Sequence, residues 1–175
     1  MHKTARLLLR RPDPDDVVRL FAIYGDPATN IYNPAGPFRD LQKAQTVLDV
    51  WLSHWQARGF GQWAIATREA PREIIGFGGI AWRRYVDADA LNLGYRFDAA
   101  AWGRGYATEL GQAALRQAFV DLREPEVFAI VRPANLPSIR VLEKLGMQRI
   151  GALDDVPGQP QSHLYRIARE AAVAR

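Results

Sequence analysis

The stretch from Leu91 to Val131 limits the possible folds of this chain more than any other. Leu91, Leu93, Tyr95 and Phe97 alternate with Asn92, Gly94 and Arg96, the period-two pattern of a half-buried strand. Ala107, Leu110, Gly111, Ala114, Leu115, Ala118, Phe119 and Leu122 then recur at helical spacing as one continuous apolar stripe. Val127 to Val131 is short and wholly apolar, which suits a strand covered on both faces. Strand, helix and strand in that order form a crossover unit, so the two strands run parallel.

The rest of the chain supplies antiparallel strands and further helices. Leu7 to Arg10 reads as a strand, broken by Pro12 to Asp16, whose acidic residues can cap a helix of about Asp15 to Tyr24. Gly25 to Gly36 is a loop punctuated by Pro27 and Pro34, and a helix from Asp40 to Arg58 stops at Gly59. Gln62 to Thr67 and Glu73 to Arg83 form a hairpin around Glu69 to Arg72. After Val131, Asn135 can cap a helix of about Leu136 to Leu145 that Gly146 ends, before strands near Met147 to Leu153 and His163 to Ala168. The expected fold is a mixed α/β sheet of seven strands with helices on its faces. The 175 residues suit a single domain spanning 1–175.

Composition removes several kinds of function. With 48% hydrophobic residues the chain can build a core and is no disordered linker, and zero cysteines remove disulfides, thiolate metal sites and cysteine nucleophiles. No metal is expected. The net charge of +4 is scattered, without the concentrated stripe that a nucleic-acid binder usually shows. The longest apolar run near the start, Leu7 to Leu9, is too short for a signal peptide or a membrane span, so a cytoplasmic protein is expected. Either a monomer or a homodimer fits.

Two constellations flank the crossover. Trp102-Gly103-Arg104-Gly105-Tyr106-Ala107 follows a strand and opens the striped helix. Its glycines let main-chain N–H groups converge, and the helix start adds unpaired donors and a positive dipole end, so the loop suits an anion such as phosphate. A plain glycine-rich connection is the competing reading. The Gly-Lys-Ser/Thr of a P-loop is absent, and Thr108 stands where a dinucleotide fingerprint needs its third glycine. The second constellation is Asn135-Leu136-Pro137-Ser138 with Val141 to Met147, which ordinary helix capping also accounts for.

Together the two resemble the GNAT superfamily of acyl-CoA-dependent N-acetyltransferases, and within it the Rim-type branch that acetylates ribosomal-protein N-termini. The resemblance extends to Thr4-Ala5-Arg6-Leu7-Leu8-Leu9-Arg10, Ile75 to Gly79, Thr108-Glu109 and Leu164-Tyr165-Arg166. Trp102 departs from the Gln or Arg usual at the first loop position, while Gly105 and Ala107 stay in register.

The resemblance implies a mostly antiparallel sheet whose one parallel pair splays, and transfer of acetyl from acetyl-CoA to a primary amine, a protein N-terminus or a small molecule, by direct attack. The pantetheine arm would run beside Tyr95, Arg96 and Phe97, with a main-chain N–H near Phe97 stabilising the oxyanion. The pyrophosphate would rest on Gly103, Arg104, Gly105, Tyr106 and Ala107, with Asn135 and Ser138 near the arm and the sulfur. Many relatives protonate the thiolate with a Tyr on the helix after the parallel strand; no Tyr lies between Leu136 and Leu145, and Ser138 is the substitute. The base stays unassigned among Asp98, Glu126, His54 and His163. Tyr32, Trp51 and Tyr165 are candidates for the acceptor pocket, although the helical spacing of Trp51 favours core packing and Tyr165 suits a core position equally well. The alternatives are a non-catalytic acyl-CoA-binding module on the same fold and a Rossmann-type nucleotide binder.

Overall fold

A computed structural model describes residues 1–85 and 88–170. In chain order the elements are β1 (His2–Lys3), β2 (Leu7–Arg10), α1 (Val17–Tyr24), α2 (Leu41–Arg58), β3 (Gln62–Thr67), β4 (Ile74–Arg84), β5 (Asp89–Phe97), α3 (Tyr106–Arg116), β6 (Glu126–Val131), α4 (Leu136–Lys144), β7 (Gln148–Leu153) and β8 (Ser162–Ala168). The strands form one mixed sheet in the order β1-β2-β3-β4-β5-β6-β8-β7, in which only β5 and β6 run parallel. The sheet has eight strands where seven were expected. The extra one, His2–Lys3, pairs with Leu8 and Leu9 and is too short to carry a readable period.

Local chemistry explains where the helices begin and end. A 3₁₀ turn, Pro14–Asp16, leads into α1, and Asp13 and Asp16 cap it reciprocally while Arg10 grips Asp16 at 2.6 Å. Asp40 caps α2 by accepting from Lys43 N–H at 2.8 Å, and Gly59, at φ 75°, ends it. The expected helix over 107–122 is an α-helix to Arg116 followed by a wider π-type turn, Gln117–Asp121, closed by Leu122 N–H on Gln117 O at 3.0 Å. The apolar stripe survives this change, because Ala118 and Phe119 remain in the core.

The sheet separates two cores. Leu93, Phe97, Leu110, Ala114 and Leu142 gather where α3 and α4 cover one face, and Leu20, Ile23, Leu48 and Phe77 gather under α1 and α2 on the other. The first layer is thin at its centre. A Cβ on Gly78 would lie 2.5 Å from the Cβ of Tyr95 and 2.8 Å from Leu110, so only glycine lets Tyr95 and α3 settle on β4.

The parallel pair is incomplete. Asn92 opposite Phe128 is its only registered contact, although β5 stays paired with β4 to Phe97 and β6 with β8 to Val131. Each strand is held firmly on its outer side, and beyond Asn92 the two part. Gly78→Ala is expected to cost about 1–3 kcal/mol by overpacking beneath this gap. Chemical denaturation measures it, and unchanged stability would contradict the close approach.

Candidate active site

The gap between β5 and β6 exposes main chain of known polarity. Asp98 N–H donates to Ile75 O at 2.9 Å, which sets the phase of the β4–β5 ladder: Gly94 and Arg96 direct their main-chain groups at β4, and Tyr95 and Phe97 direct theirs into the gap. A cleft of about 600 Å³ fills the opening, with Tyr95, Phe97, Ala129, Val131, Ser138 and Leu142 among its walls. A chain with amides along its length can lie there as an added strand, meeting these free groups.

At one end of β5 the glycine loop turns its amides outward. Gly103 and Gly105 have φ of 74° and 76°, and Gly105 is the N-cap of α3 with no side chain to satisfy the first turn. Among the described residues, the N–H groups from Gly103 to Thr108 make no intramolecular hydrogen bond of good geometry. Six successive donors at a helix N-terminus form an anion cradle. It is clamped from behind: Arg6 Nη1 donates to Arg104 O at 2.8 Å, Arg6 Nε to Glu109 at 2.7 Å, and the Thr4 hydroxyl to Glu109 at 2.6 Å. The Arg6 guanidinium also lies 4.9 Å from the centre of the Tyr106 ring.

The other walls bring polar side chains to the gap. Asn135 Oδ1 accepts from Ser138 N–H at 3.2 Å, so Asn135 is the cap of α4 and the Ser138 hydroxyl is left to the cleft. Facing it is the Tyr95 hydroxyl, which is buried and has no hydrogen bond of good geometry. Burial raises the Tyr95 phenol above its ordinary range, and the neighbouring Ser138 hydroxyl opposes the shift. Asp155, from the β7–β8 connection, is the one carboxylate lining the cleft among the described residues; it lies 3.6 Å from Arg132 and its Oδ1 has no hydrogen-bond donor.

Comparison with known proteins agrees with this geometry. A family profile described as Acetyltransferase (GNAT) domain matches residues 6–148. The chain belongs to the GNAT acetyltransferase family. It is 34% identical over 148 residues to the uncharacterized N-acetyltransferase YnaD of Bacillus subtilis, covering 85% of this chain and 82% of YnaD. It is 29% identical over 155 residues to the uncharacterized N-acetyltransferase p20 of Bacillus licheniformis, with 87% and 84% covered. Among solved structures, an acetyltransferase of Agrobacterium tumefaciens superimposes with a TM-score of 0.78 at 28% identity, over 95% of this chain and 92% of that one. The spermidine N-acetyltransferase of Vibrio cholerae shares the fold, with a TM-score of 0.76 at 16% identity over 95% and 98% of the two chains.

This GNAT acetyltransferase gathers most of the residues its sequence nominates. Tyr95, Arg96, Phe97, Ala107, Asn135, Ser138 and Tyr32 all line the cleft, and Gly103, Arg104, Gly105 and Tyr106 form the loop at its edge. Trp51 and Tyr165 lie elsewhere. Trp51 packs on Phe77 at 5.7 Å between ring centres in the α1–α2 core, and Tyr165 is buried in β8. The four base candidates also fall outside the lining. Asp98 is held by Arg19 at 2.5 Å, Glu126 pairs with Arg166 at 3.4 Å, and His163 keeps Nδ1 buried in β8. His54 spends both ring nitrogens on main chain, Nδ1 donating to Phe60 O at 2.8 Å and Nε2 accepting from Trp82 N–H at 3.2 Å.

Asp155 carries no motif that would select it, and the Arg6–Glu109 contact spans 103 positions. Neither is visible as a local pattern. Among the described residues no helix is long and apolar enough to cross a membrane, and no three metal-ligating side chains cluster.

The clamp makes a testable contribution to stability. Burial by itself would raise the Glu109 carboxyl, but hydrogen bonds from Thr4 and Arg6 and the Arg6 charge hold it below the ordinary glutamate range. A depressed carboxylate gives stability that is complete above its unfolded pKa and is lost as pH falls through the folded value. Glu109→Gln is therefore expected to cost about 1–3 kcal/mol at neutral pH, and the difference should shrink below about pH 4. Thermal melts of both proteins across that range check it; a constant difference would refute the ionic account.

Proposed function

We propose that this acetyltransferase moves the acetyl group of acetyl-CoA to a primary amine by direct attack within a ternary complex. The observation that carries the reading is the conjunction of an open strand edge, the main chain of Tyr95 and the N–H of Phe97, with the row of amides from Gly103 to Thr108 that lack a well-formed hydrogen bond. That pairing suits a ligand that is amide-bearing along one part and doubly anionic at another, as CoA is. In this reading acetyl-CoA supplies an activated acetyl thioester.

The residues divide the work. Tyr95 holds the arm through main chain, and the amides of Gly103, Arg104, Gly105, Tyr106 and Ala107 hold the pyrophosphate. The exposed Trp102, whose Nε1 donates to Phe97 O at 3.1 Å, ties the loop to the strand end. Phe97 N–H, directed into the gap, stabilises the negative charge that develops on the thioester oxygen. Asp155 takes the proton of the attacking amine, directly or through water, as the new C–N bond forms. Ser138 delivers a hydrogen to the sulfur as the C–S bond breaks, with the Tyr95 hydroxyl behind it in place of the tyrosine that α4 lacks.

Two measurements test this reading. Gly105→Val should weaken CoA binding by about 2 kcal/mol or more in calorimetry, because the left-handed turn and the close approach of the amides are lost together. A folded variant with unchanged affinity would remove the cradle. In single-turnover transfer, Ser138→Ala and Asp155→Asn should each slow the chemical step roughly 100-fold with little change in CoA affinity. Normal transfer by either variant would strike that residue from the mechanism, and CoA binding without thiol release from any amine would leave only an acyl-CoA-binding module.

A further inference from the structure

Arg96 is a cleft-lining cation that the chemistry above leaves unused. Its side chain alternates to the face of β5 opposite Tyr95, so the guanidinium points under α1 and the 25–36 loop, across the sheet from the amide cradle. It lies 4.4 Å from the centre of the Tyr24 ring, and Nη1 donates to Asn30 Oδ1 at 2.5 Å. Asn30 is fixed in turn. It is 5% exposed, its Nδ2 donates to Tyr24 O and Asp26 O, both at 2.8 Å, and its Oδ1 accepts from Asn33 Nδ2 at 2.9 Å as well as from the arginine. The loop is thus folded around this guanidinium.

No carboxylate among the described residues pairs with it. Burial pulls Arg96 below the ordinary arginine range, against a smaller opposing influence of Tyr24. An aromatic face and one amide oxygen offset part of the desolvation, but neither carries a negative charge. Among the described residues the rest of the fork has no hydrogen-bond partner, and Arg96 lines the cleft, as do Arg83 and Arg132 against the carboxylate of Asp155. Arg132 and Asp155 lie 3.6 Å apart and largely cancel, so the balance at the acceptor side is positive.

Resting on the N-acetyltransferase reading, we infer that the acceptor is an anionic amine, and that Arg96 holds its carboxylate or phosphate while the amine faces Asp155. A planar fork with an open edge meets either group in two parallel hydrogen bonds. The same charge balance opposes an oligocation such as spermidine, which would bring several positive charges into a cleft lined by three arginines and one aspartate.

The test compares matched acceptors that differ only in the anion. Acetyl-CoA-dependent thiol release is followed with the common L-amino acids beside their carboxamides, with phosphoethanolamine beside ethanolamine, and with spermidine. The anionic member of the productive pair should exceed its neutral match by about tenfold or more in kcat/KM, the size expected of a charge-assisted bidentate contact. The pair that responds tells carboxylate from phosphate. Arg96→Ala should erase the ratio by raising the acceptor KM, with CoA affinity unchanged, and Arg96→Lys should restore part of it. Preference for spermidine or for neutral amines, equal loss on both members of a pair, or weaker CoA binding in Arg96→Ala would each overturn the inference.

Calorimetric titration of the same amines into the CoA complex separates this inference from the catalytic reading. Arg96-dependent binding of an anionic amine without turnover supports the anion site while the transfer reading fails. Turnover confined to neutral or cationic amines does the reverse. Should Arg96→Ala fail to fold, Arg96→Lys and Asn30→Ala, which frees the fork, carry the comparison.

Discussion

The parting of β5 from β6 after Asn92 is the feature on which the remaining structure depends. A parallel pair inside a sheet would ordinarily satisfy its main chain along its whole length, and an unpaired buried N–H or C=O costs about 1–3 kcal/mol. Here that loss is localised to one edge and opened to a cleft, where solvent or a ligand can meet it. The two halves tolerate the opening because each has its own ladder, β4 against β5 and β8 against β6. The gap is therefore a stable property of the topology and needs no strained residue to hold it open.

Everything chemical is arranged relative to that gap. On the α3 side, Gly78 leaves room for the Tyr95 side chain beside β4, and the Tyr95 hydroxyl neighbours Ser138. At the end of β5, two left-handed glycines reverse the chain so that the first turn of α3 faces outward with its donors unspent. The Arg6–Glu109–Thr4 network then ties this loop to the β2 end of the sheet, so the cradle is preformed and a ligand need not order it. On the opposite side the 25–36 loop and Asp155 of the β7–β8 connection line the cleft together with Arg83 of β4, Arg96 of β5 and Arg132 just after β6. The two ends of the cleft differ in kind: one presents main-chain dipoles, the other side-chain charge.

That difference explains which site residues can be read from the chain. Main-chain sites need glycine at particular spacings, and Gly103 and Gly105 before an apolar stripe are visible without coordinates. Side-chain sites built from separate loops leave no such trace. Asp155 stands in a short polar stretch like several others, and Arg96 reads as the polar face of a strand until Tyr24 and Asn30 are found against it. Trp51 shows the converse. Its size and its place on a long helix suit a pocket wall, yet the face it shares with Ala44 and Leu48 turns it into the second core.

The sequence by itself determined the order of the main elements, the crossover, the helix cap at Asn135, and the loop at 103–107, because each depends on residues within a few turns or pleats of one another. The tertiary structure alone decided how far β5 and β6 stay paired, that His2 and Lys3 extend the sheet, and that Arg6 reaches Glu109. It also decided that His54 serves the main chain while Asp155 and Arg96 face the cleft. These outcomes depend on contacts between positions far apart in the chain, which hydrophobic periodicity and turn chemistry do not encode, since a side chain's environment is set by whichever elements the closed sheet brings against it.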